Sequence, residues 1–239
     1  RLPFRVSIAS REEMAAVVRL RATAYGRHLP ELGARLMQAE PADFEWGCEV
    51  IVATSKLDGS VLGSLRTHAN ALKPLPLEAS LALPERFRGK RLVEATRLSV
   101  LAGGSSSLVR NALFKAFYLY GLAQQVDCLV VAGRRPVDRI YDGLLYTDVG
   151  EPGAFYEMAH AGGLPHRVMS MELAEAEAIW RRAEHPLYRF AFQTRHPDID
   201  LGAARHLSGD WARLRPLPGF AHAKGRLFHL PLPQRFSAA

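Results

Sequence analysis

Cysteine is scarce in this chain, whose 239 residues include only two, Cys48 and Cys128. Both lie in apolar runs typical of strands, and neither belongs to a Cys-x-x-Cys pair. We therefore expect two buried, reduced thiols in a cytoplasmic protein, and neither a disulfide nor a catalytic cysteine.

Signatures of metal and serine chemistry are missing as well. The nine histidines show no His-Glu-x-x-His motif and no paired-ligand spacing, so we predict no metal site. The absence of a Gly-x-Ser-x-Gly elbow argues against a serine nucleophile. His160 and His166 flank a Gly-Gly pair, and two interpretations stay open for them: a structural role, or a second acid or base in an active site.

Long hydrophobic runs are also lacking. No apolar segment approaches the roughly 20 residues of a membrane span, and the first ten residues contain no secretory hydrophobic region. Lysine and arginine exceed aspartate and glutamate by 31 to 24, which favours an acidic partner. Because the basic residues are scattered and form no run of five, we expect no nucleic acid partner.

Hydrophobic periodicity is the strongest signal that is present, and it alternates between the strand period and the helix period. The Asp58-Gly59 pair predicts a hairpin between the second and third strands. The order of elements predicts an α/β fold with a mixed central sheet and helices on both faces. Strands are predicted at 4–9, 49–54, 60–67, 92–100, 128–132 and 166–173, and helices at 10–25, from 108 onward, at 135–145 and at 174–183.

Three segments lack clear periodicity. Residues 28–46 contain two prolines and several charges, which predicts a mobile flap with a short helix near 32–38. Residues 70–90 predict an irregular connection. From about Pro197 the sequence turns basic and rich in proline, so we divide the chain into a domain at 1–198 and an extension at 199–239 that packs on it.

The predicted strand at 92–100 carries two opposite charges, Glu94 and Arg97. A buried charge must be paired or take part in chemistry, so this strand is the first place to look for a site. Since side chains alternate along a strand, both charges can serve one pocket only if the strand is bulged or ends there. The alternative interpretation is a structural ion pair.

Several motifs in this order resemble a known family, the acyl-homoserine-lactone synthases. The wider chain, from about Arg5 to Asp198, is similar to their relatives, the N-acyl amino acid synthases. This resemblance implies an acetyltransferase-like (GNAT) fold. The motifs are Arg21-x-x-x-Tyr25 in the first helix, Arg66-Thr67 at the end of the hairpin, and Glu94-x-Thr96-Arg97-Leu98-x-Val100 in the charged strand.

The same resemblance implies an N-acyltransferase that moves a long-chain fatty acyl group to the amine of an amino acid. The donor would be the thioester of acyl carrier protein, or of coenzyme A, with no tightly bound cofactor. An acidic carrier protein would account for the basic excess, and the acylated product would allow peripheral membrane contact. Two alternatives stay open: an acyl-homoserine-lactone synthase that uses S-adenosylmethionine, and a non-catalytic module that binds acyl chains or carrier protein.

Acyl transfer needs a base for the amine and donors for the thioester oxyanion. Glu94 is the expected base. Main-chain N–H groups near Ser99, Val100 and Leu101 are expected to contact the oxyanion, because adjoining strands separate there in the GNAT fold.

A guanidinium binds a carboxylate with two hydrogen bonds, so the arginines of the motifs have a natural function. Arg97 and Arg66 are expected to orient the flap or to hold the carboxylate of the acceptor, and Arg21 to do the same from the first helix. Asp43 and Glu45 lie in the flap, where the lactone synthases carry acidic residues. For each arginine, an ordinary ion pair is the alternative.

The Gly/Ser turn after the charged strand precedes a helix, whose free N–H groups could cradle a phosphate. The turn lacks the coenzyme A signature of acetyltransferases, so we expect Gly104, Ser105 and Ser106, with Arg110, to meet the phosphate of a carrier-protein arm. The alternative is an ordinary cap by Ser106 or Ser107. Phe117, with Phe114 and Tyr118, is expected either to line an acyl tunnel or to belong to the core.

Overall fold

The computed structural model describes residues 1–207, and the mixed α/β sheet that the sequence predicts is confirmed there. Its strands are β1 (Phe4–Ile8), β2 (Cys48–Ser55), β3 (Val61–Ala69), β4 (Leu92–Val100), β5 (Cys128–Gly133), β6 (Thr147–Asp148), β7 (Tyr156–Met158), β8 (Leu164–Glu172) and β9 (Ile199–Asp200). Its α-helices are α1 (Met14–Gly26), α2 (Pro30–Arg35), α3 (Ser106–Ala123), α4 (Asp138–Gly143) and α5 (Leu173–Arg182).

The strands form a sheet in the order β6-β8-β5-β4-β3-β2-β1-β9, with β7 paired to β8. β1 to β4 form an antiparallel meander, and β5 is antiparallel to β8. At the centre, β4 and β5 are parallel and are joined through α3. Their pairing covers only the first half of β4, from Leu92 opposite Cys128 to Ala95 opposite Val131, and beyond that point the strands separate.

Apolar layers cover both faces of the sheet. α3 packs on one face, and Val109, Leu113 and Phe117 contribute to the largest buried cluster. α1 packs on the opposite face, where Met14 and Val17 meet Val50 and Val52 of β2. The period of about 3.6 residues places these apolar positions on the side of each helix that packs against the sheet.

The opposite face also carries the segment between β3 and β4. The sequence predicts an irregular connection here, and the segment holds two short 3₁₀ turns, Pro76–Ala79 and Glu85–Phe87. Leu75, Leu77 and Phe87 anchor it by packing on Leu92 of β4 in a second buried cluster. The segment therefore forms a fixed cover over the first half of β4.

The short elements are the hardest to predict. β6, β7 and β9 contain only two or three residues each and do not appear among the predicted strands, and the flap helix α2 begins at Pro30, earlier than expected. The aromatic run after α5 forms a π-helical turn, Arg189–Gln193. Residues of the predicted C-terminal extension pack on the domain as far as Leu207, which is 1% exposed, and the rest of that extension lies outside the described residues.

Candidate active site

A bulge in β4 resolves the geometry of the two strand charges. Ser64 of β3 lies opposite Ser99, whereas Arg66 lies opposite Thr96, so two residues of β4 face one residue of β3. Arg97 adopts a left-handed backbone conformation with φ of 55°, which costs a non-glycine residue roughly 1–3 kcal/mol. The extra residue turns Arg97 toward the face that already carries Glu94 and Arg66. This orientation is seen in the contacts, since Arg97 and Arg66 bind the same flap carboxylate.

That carboxylate is Glu40, which the sequence did not single out. Arg97 donates to it through Nε at 2.7 Å and through Nη2 at 2.6 Å, and Arg66 donates at 3.0 Å. Burial opposes ionisation, but the hydrogen bonds and charge of Arg97, with the further charges of Arg66 and Arg21, lower the pKa of Glu40 to about 2. Glu40 is therefore ionised and fixes the flap to the sheet.

Asp43 provides the second flap carboxylate. Arg21 of α1 donates to it at 2.6 Å and Arg66 at 3.1 Å, and Arg21 itself is only 1% exposed. Three arginines thus meet two carboxylates, which leaves one positive charge in excess. Within the described residues, the Nε and Nη2 groups of Arg21 are buried without a hydrogen-bond partner. Glu45, the other acidic residue expected here, pairs with Lys73 at the surface instead.

Glu94 lies at the centre of the same face and is fully buried. Its Oε2 accepts a hydrogen bond from the Leu77 N–H at 3.0 Å, whereas its Oε1 has no hydrogen-bond partner among the described residues. Burial raises the pKa of Glu94 to about 8, against the opposing effect of the Leu77 N–H. The carboxyl is therefore largely protonated at neutral pH and becomes a base as the pH rises.

Two histidines flank Glu94. His68, directly opposite it on β3, accepts a hydrogen bond at Nε2 from Arg66 at 3.0 Å, while its Nδ1 lies 3.2 Å from the Cys48 sulfur. Burial, followed by the charge of Arg66, lowers the pKa of His68 to about 3. The imidazole of His68 is therefore a neutral acceptor that orients Arg66. The second histidine, His160, lies in the turn after β7, with its Nε2 3.7 Å from Glu94 Oε1.

A cleft of about 260 Å³ opens where β4 and β5 separate. Ser99 and Val100, two of the residues expected to contact the oxyanion, line it. The Leu101 N–H is not free for an oxyanion, because it donates to Leu62 O at 2.8 Å on the β3 side. Successive N–H groups of a strand point to opposite edges, so the Val100 N–H faces the unpaired β5 side. The other walls include Tyr25, Leu29, Leu32, Val137, Ile140 and Tyr141.

Glu94 does not itself line this cleft. The nearest lining residues are Thr96 and Arg97 on its own strand and Ala161 in the turn above it. The base predicted from sequence is therefore buried next to residues that line the cleft, whose walls combine apolar and charged side chains.

Phe117 lies elsewhere. It is completely buried in the core between α3 and the sheet and lines neither cavity described here, so the core interpretation is the correct one. Phe114 and Tyr118 line a second, smaller cavity of about 40 Å³ on the far side of the sheet. This cavity also contains Lys115, whose Nζ donates to the backbone oxygens of Phe190, in the π-helical turn, and of Thr194, just after it. The acyl tunnel considered along α3 therefore does not include Phe117.

The Gly/Ser turn is exposed at the end of β4. Gly104 and Ser105 lie at the surface, and helix α3 begins at Ser106 without a side-chain cap. The expected cap by Ser106 or Ser107 is therefore not formed. Arg110, one turn into α3, is half-buried, and its Nε has no partner among the described residues. These groups flank the cleft along the chain but do not line it.

The opposite lip of the cleft is basic. Arg134 lines the cleft. Arg135, which precedes α4, and Arg139, in the first turn of α4, are exposed. None of these three makes an ion pair with residues 1–207 of the chain, in contrast to the arginines beside Glu94. They therefore present uncompensated positive charge next to the opening, a signal that the even distribution of arginine in the sequence conceals.

Two absences apply to residues 1–207. No group of three or more His, Cys, Asp or Glu side chains is arranged to hold a metal ion. No described helix is both long and apolar enough to cross a bilayer.

Both cysteines are buried and free, as predicted.

Comparisons with known proteins agree with this architecture. A family model described as N-acyl amino acid synthase FeeM matches residues 16–164. No sequence among the curated proteins matches.

Solved structures give the fold. FeeM, an N-acyl amino acid synthase from uncultured soil microbes, is 16% identical with a TM-score of 0.59, over 78% of this chain and 96% of that chain. BjaI, a CoA-dependent acyl-homoserine lactone synthase, is 14% identical with a TM-score of 0.58, over 88% and 98%. A putative GNAT-family acetyltransferase from Desulfovibrio desulfuricans is 16% identical with a TM-score of 0.50, over 71% and 99%. The predicted GNAT-like fold is thereby confirmed.

Proposed function

Because the chain belongs to the N-acyl amino acid synthase FeeM family and is an acyltransferase, we propose that it transfers a long-chain acyl group from acyl carrier protein to the amine of an amino acid. One observation carries this proposal. The cleft between β4 and β5 lies beside a buried carboxyl, Glu94, whose pKa is raised to about 8, and beside an arginine cluster with one unbalanced charge.

The cleft suits the thioester end of the donor. A volume of about 260 Å³ holds the reacting end of a pantetheine arm and the first carbons of its acyl chain. The thioester carbonyl would lie against the unpaired edge of β4, where the Val100 N–H is directed toward the developing oxyanion. Tyr25, Leu29 and Ile140 would shield the acyl chain from water.

The arginine cluster suits the carboxylate of an amino acid acceptor. Glu40 and Asp43 neutralise two of the three charges on Arg21, Arg66 and Arg97. The remaining positive charge would be balanced by one further carboxylate at Arg97, which lines the cleft. This supports an acceptor that carries both an amine and a carboxylate.

Glu94 is the group that finally receives the proton of the amine, directly or through a group between them. An α-ammonium group must lose a proton before its nitrogen attacks the thioester, and a carboxyl with a pKa near 8 matches that task at mildly alkaline pH. The amine nitrogen then attacks the carbonyl carbon, and the thiol leaves as the amide forms.

The basic lip at Arg134, Arg135 and Arg139 supports a carrier protein as donor. Acidic proteins are steered toward uncompensated positive charge, and Arg134 of this lip lines the cleft. Gly104, Ser105, Ser106 and Arg110, which follow β4 in the chain, would meet the phosphate of the arm. Coenzyme A is the alternative donor, since BjaI is described as CoA-dependent.

A lactone synthase using S-adenosylmethionine is the second candidate, because the BjaI structure that contains S-adenosylmethionine matches 88% of this chain. One experiment separates the candidates. The protein is incubated with acyl carrier proteins or acyl-CoAs of several chain lengths, together with pooled amino acids or S-adenosylmethionine, and products are identified by mass spectrometry. We expect N-acyl amino acids from the carrier-protein donors. A lactone product, or no acylated amine with any pair, would overturn the proposal.

A further inference from the structure

The turn beside Glu94 is held in place by two hydrogen bonds at its first two residues. The N–H of Ala159 donates to the Ser80 hydroxyl at 2.8 Å, and the backbone oxygen of His160 accepts from Arg97 at 3.2 Å. The turn is closed by Gly162 and Gly163, both with φ near 75°. Only glycine adopts two successive left-handed conformations without strain, so the backbone is built to present His160 at this position.

The imidazole of His160 stands between Glu94 and open space. Its side chain is 20% exposed, whereas Glu94 is completely buried, and the distance from Nε2 to Oε1 is 3.7 Å. Two atoms of this pair, Glu94 Oε1 and His160 Nδ1, are buried without hydrogen-bond partners among the described residues. Buried polar atoms are rarely left unpaired, and here both belong to neighbouring groups that can exchange a proton.

We propose that His160 is the catalytic residue that takes the proton from the acceptor amine, through Nδ1, and that Glu94 acts behind it by holding the Nε2 proton. This inference rests on the proposed function, since it assigns the proton path of the same reaction. A histidine whose far nitrogen donates to a carboxylate is the usual arrangement of such a base, and the 3.7 Å separation would shorten once an acceptor is bound.

The protonation of the pair follows from its surroundings. Burial raises the pKa of Glu94 to about 8, and burial with the charge of Arg97 lowers the pKa of His160 to about 4. Near pH 7 the carboxyl is therefore protonated, and once the 3.7 Å separation shortens it would donate to Nε2, which leaves the proton on Nδ1 and makes it a donor. Above pH 8 the carboxylate instead accepts from Nε2–H, and Nδ1 becomes a proton acceptor. The other charged or titratable groups facing the pair are Glu78, Arg66, His68 and His166.

The reaction balances through this pair. The acceptor nitrogen forms a bond to the thioester carbonyl carbon, and the carbon–sulfur bond breaks. One N–H proton passes to His160 Nδ1, while the Nε2 proton moves to Glu94 Oε1. The thiolate sulfur then takes the proton from Nδ1 while Glu94 Oε1 returns its proton to Nε2, which gives the free thiol and restores both side chains.

The first test is kinetic. We would measure kcat/KM from pH 6 to 10 for the wild type, His160→Gln, Glu94→Gln and the double variant, with His206→Gln, at an exposed position, as the control. Each single variant should lose roughly 10²-fold and the pH step near 8, and the double variant should be no slower than the singles. A His160→Gln enzyme that keeps both the rate and the step would overturn the proposal while leaving the proposed function intact.

The second test needs no turnover. In the wild type, the ring ¹⁵N shifts of His160 should change between pH 7 and 9 as the tautomer changes, and this step should disappear in Glu94→Gln. If no acyl transfer is detected with any donor, the proposed function fails, and this titration still judges the pair. A His160 ring that shows no step near pH 8 overturns the coupling, whatever the activity.

Discussion

At the scale of single residues, the site depends on one carboxyl that water does not reach. Glu94 has a single hydrogen bond, from the Leu77 N–H, and a pKa raised to about 8 by burial. An ionised carboxylate on a central strand would be costly, so this group stays largely neutral at pH 7. Glu94 is therefore more readily explained by chemistry than by stability.

Activity should reveal this carboxyl directly. Glu94→Gln keeps the shape and the hydrogen bond from Leu77 but cannot ionise, so we expect turnover near pH 8 to fall by roughly 10²-fold with little change in KM. Initial rates with a saturating thioester donor would measure the effect. An unchanged rate would show that Glu94 has a structural role and is not the base.

At the scale of elements, two features form the site: the bulge in β4 and the flap that it holds. The bulge turns Arg97 toward Arg66, and together they bind Glu40 of the flap. The segment predicted to be mobile is therefore fixed to the sheet by charge-assisted hydrogen bonds, which are stronger than those between neutral groups. The flap can therefore move only when the hydrogen bonds from Arg97 and Arg66 to Glu40 break.

Removing the flap carboxylate should loosen the flap. Glu40→Gln deletes the charge that Arg97 and Arg66 share, and because Glu40 is 26% exposed we expect a loss of stability of roughly 1–3 kcal/mol, less than for a fully buried pair. Hydrogen exchange across residues 28–46 should accelerate, whereas Glu31→Gln, on the exposed side of α2, should leave it unchanged. Equal exchange in both variants would contradict this view of the flap.

The basic lip permits a test of the donor. Arg135→Glu with Arg139→Glu should raise the KM for acyl carrier protein about tenfold or more, with kcat nearly unchanged, because charge reversal weakens encounter and leaves the chemistry intact. The KM for an uncharged acyl-pantetheine should not change. The matched reversal of Arg11 and Arg19, which are exposed before and on α1, is the control. A carrier-protein KM that does not respond would remove this lip from the docking surface.

At the scale of the whole molecule, the buried titratable groups link stability to pH. For Glu94 the folded pKa, about 8, lies above the unfolded value, so the folded state holds a proton that the unfolded chain releases between about pH 4.5 and 8. Its contribution to stability is complete below pH 4.5 and declines as the pH rises. His68 and His160 have the opposite effect, because burial lowers their pKa values to about 3 and about 4 and the unfolded chain binds their protons more readily. Their contribution to stability therefore falls as the pH drops below about 6.5.

Urea unfolding can isolate the contribution of Glu94. Between pH 5 and pH 8, the free energy of unfolding of Glu94→Gln should rise relative to the wild type, by at most about 1.4 kcal/mol per pH unit. Because both proteins contain the same histidines, those contributions cancel in the difference. Glu31→Gln should run parallel to the wild type, and a parallel curve for Glu94→Gln as well would show that the carboxyl ionises freely in the folded protein.

Local patterns in the sequence were enough to predict the fold class and the order of the long elements. Periods of two and of 3.6 are local properties, so β4, α3 and their neighbours could be predicted, as could the burial of both cysteines. It also identified Glu94, Arg97, Arg66 and Arg21 as a group, since their motifs resemble one family.

How those residues meet depends instead on contacts between distant parts of the chain. The bulge at Arg97 arises from strand register, and the approach of Glu40 from how the flap folds back on the sheet, neither of which is encoded in local spacing. The same holds for His160, which is 66 residues from Glu94 in the chain and reaches it through a turn held by Ser80 and Arg97. Phe117 shows the converse, because an apolar helix face looks alike whether it lines a tunnel or the core, and only its packing partners distinguish the two.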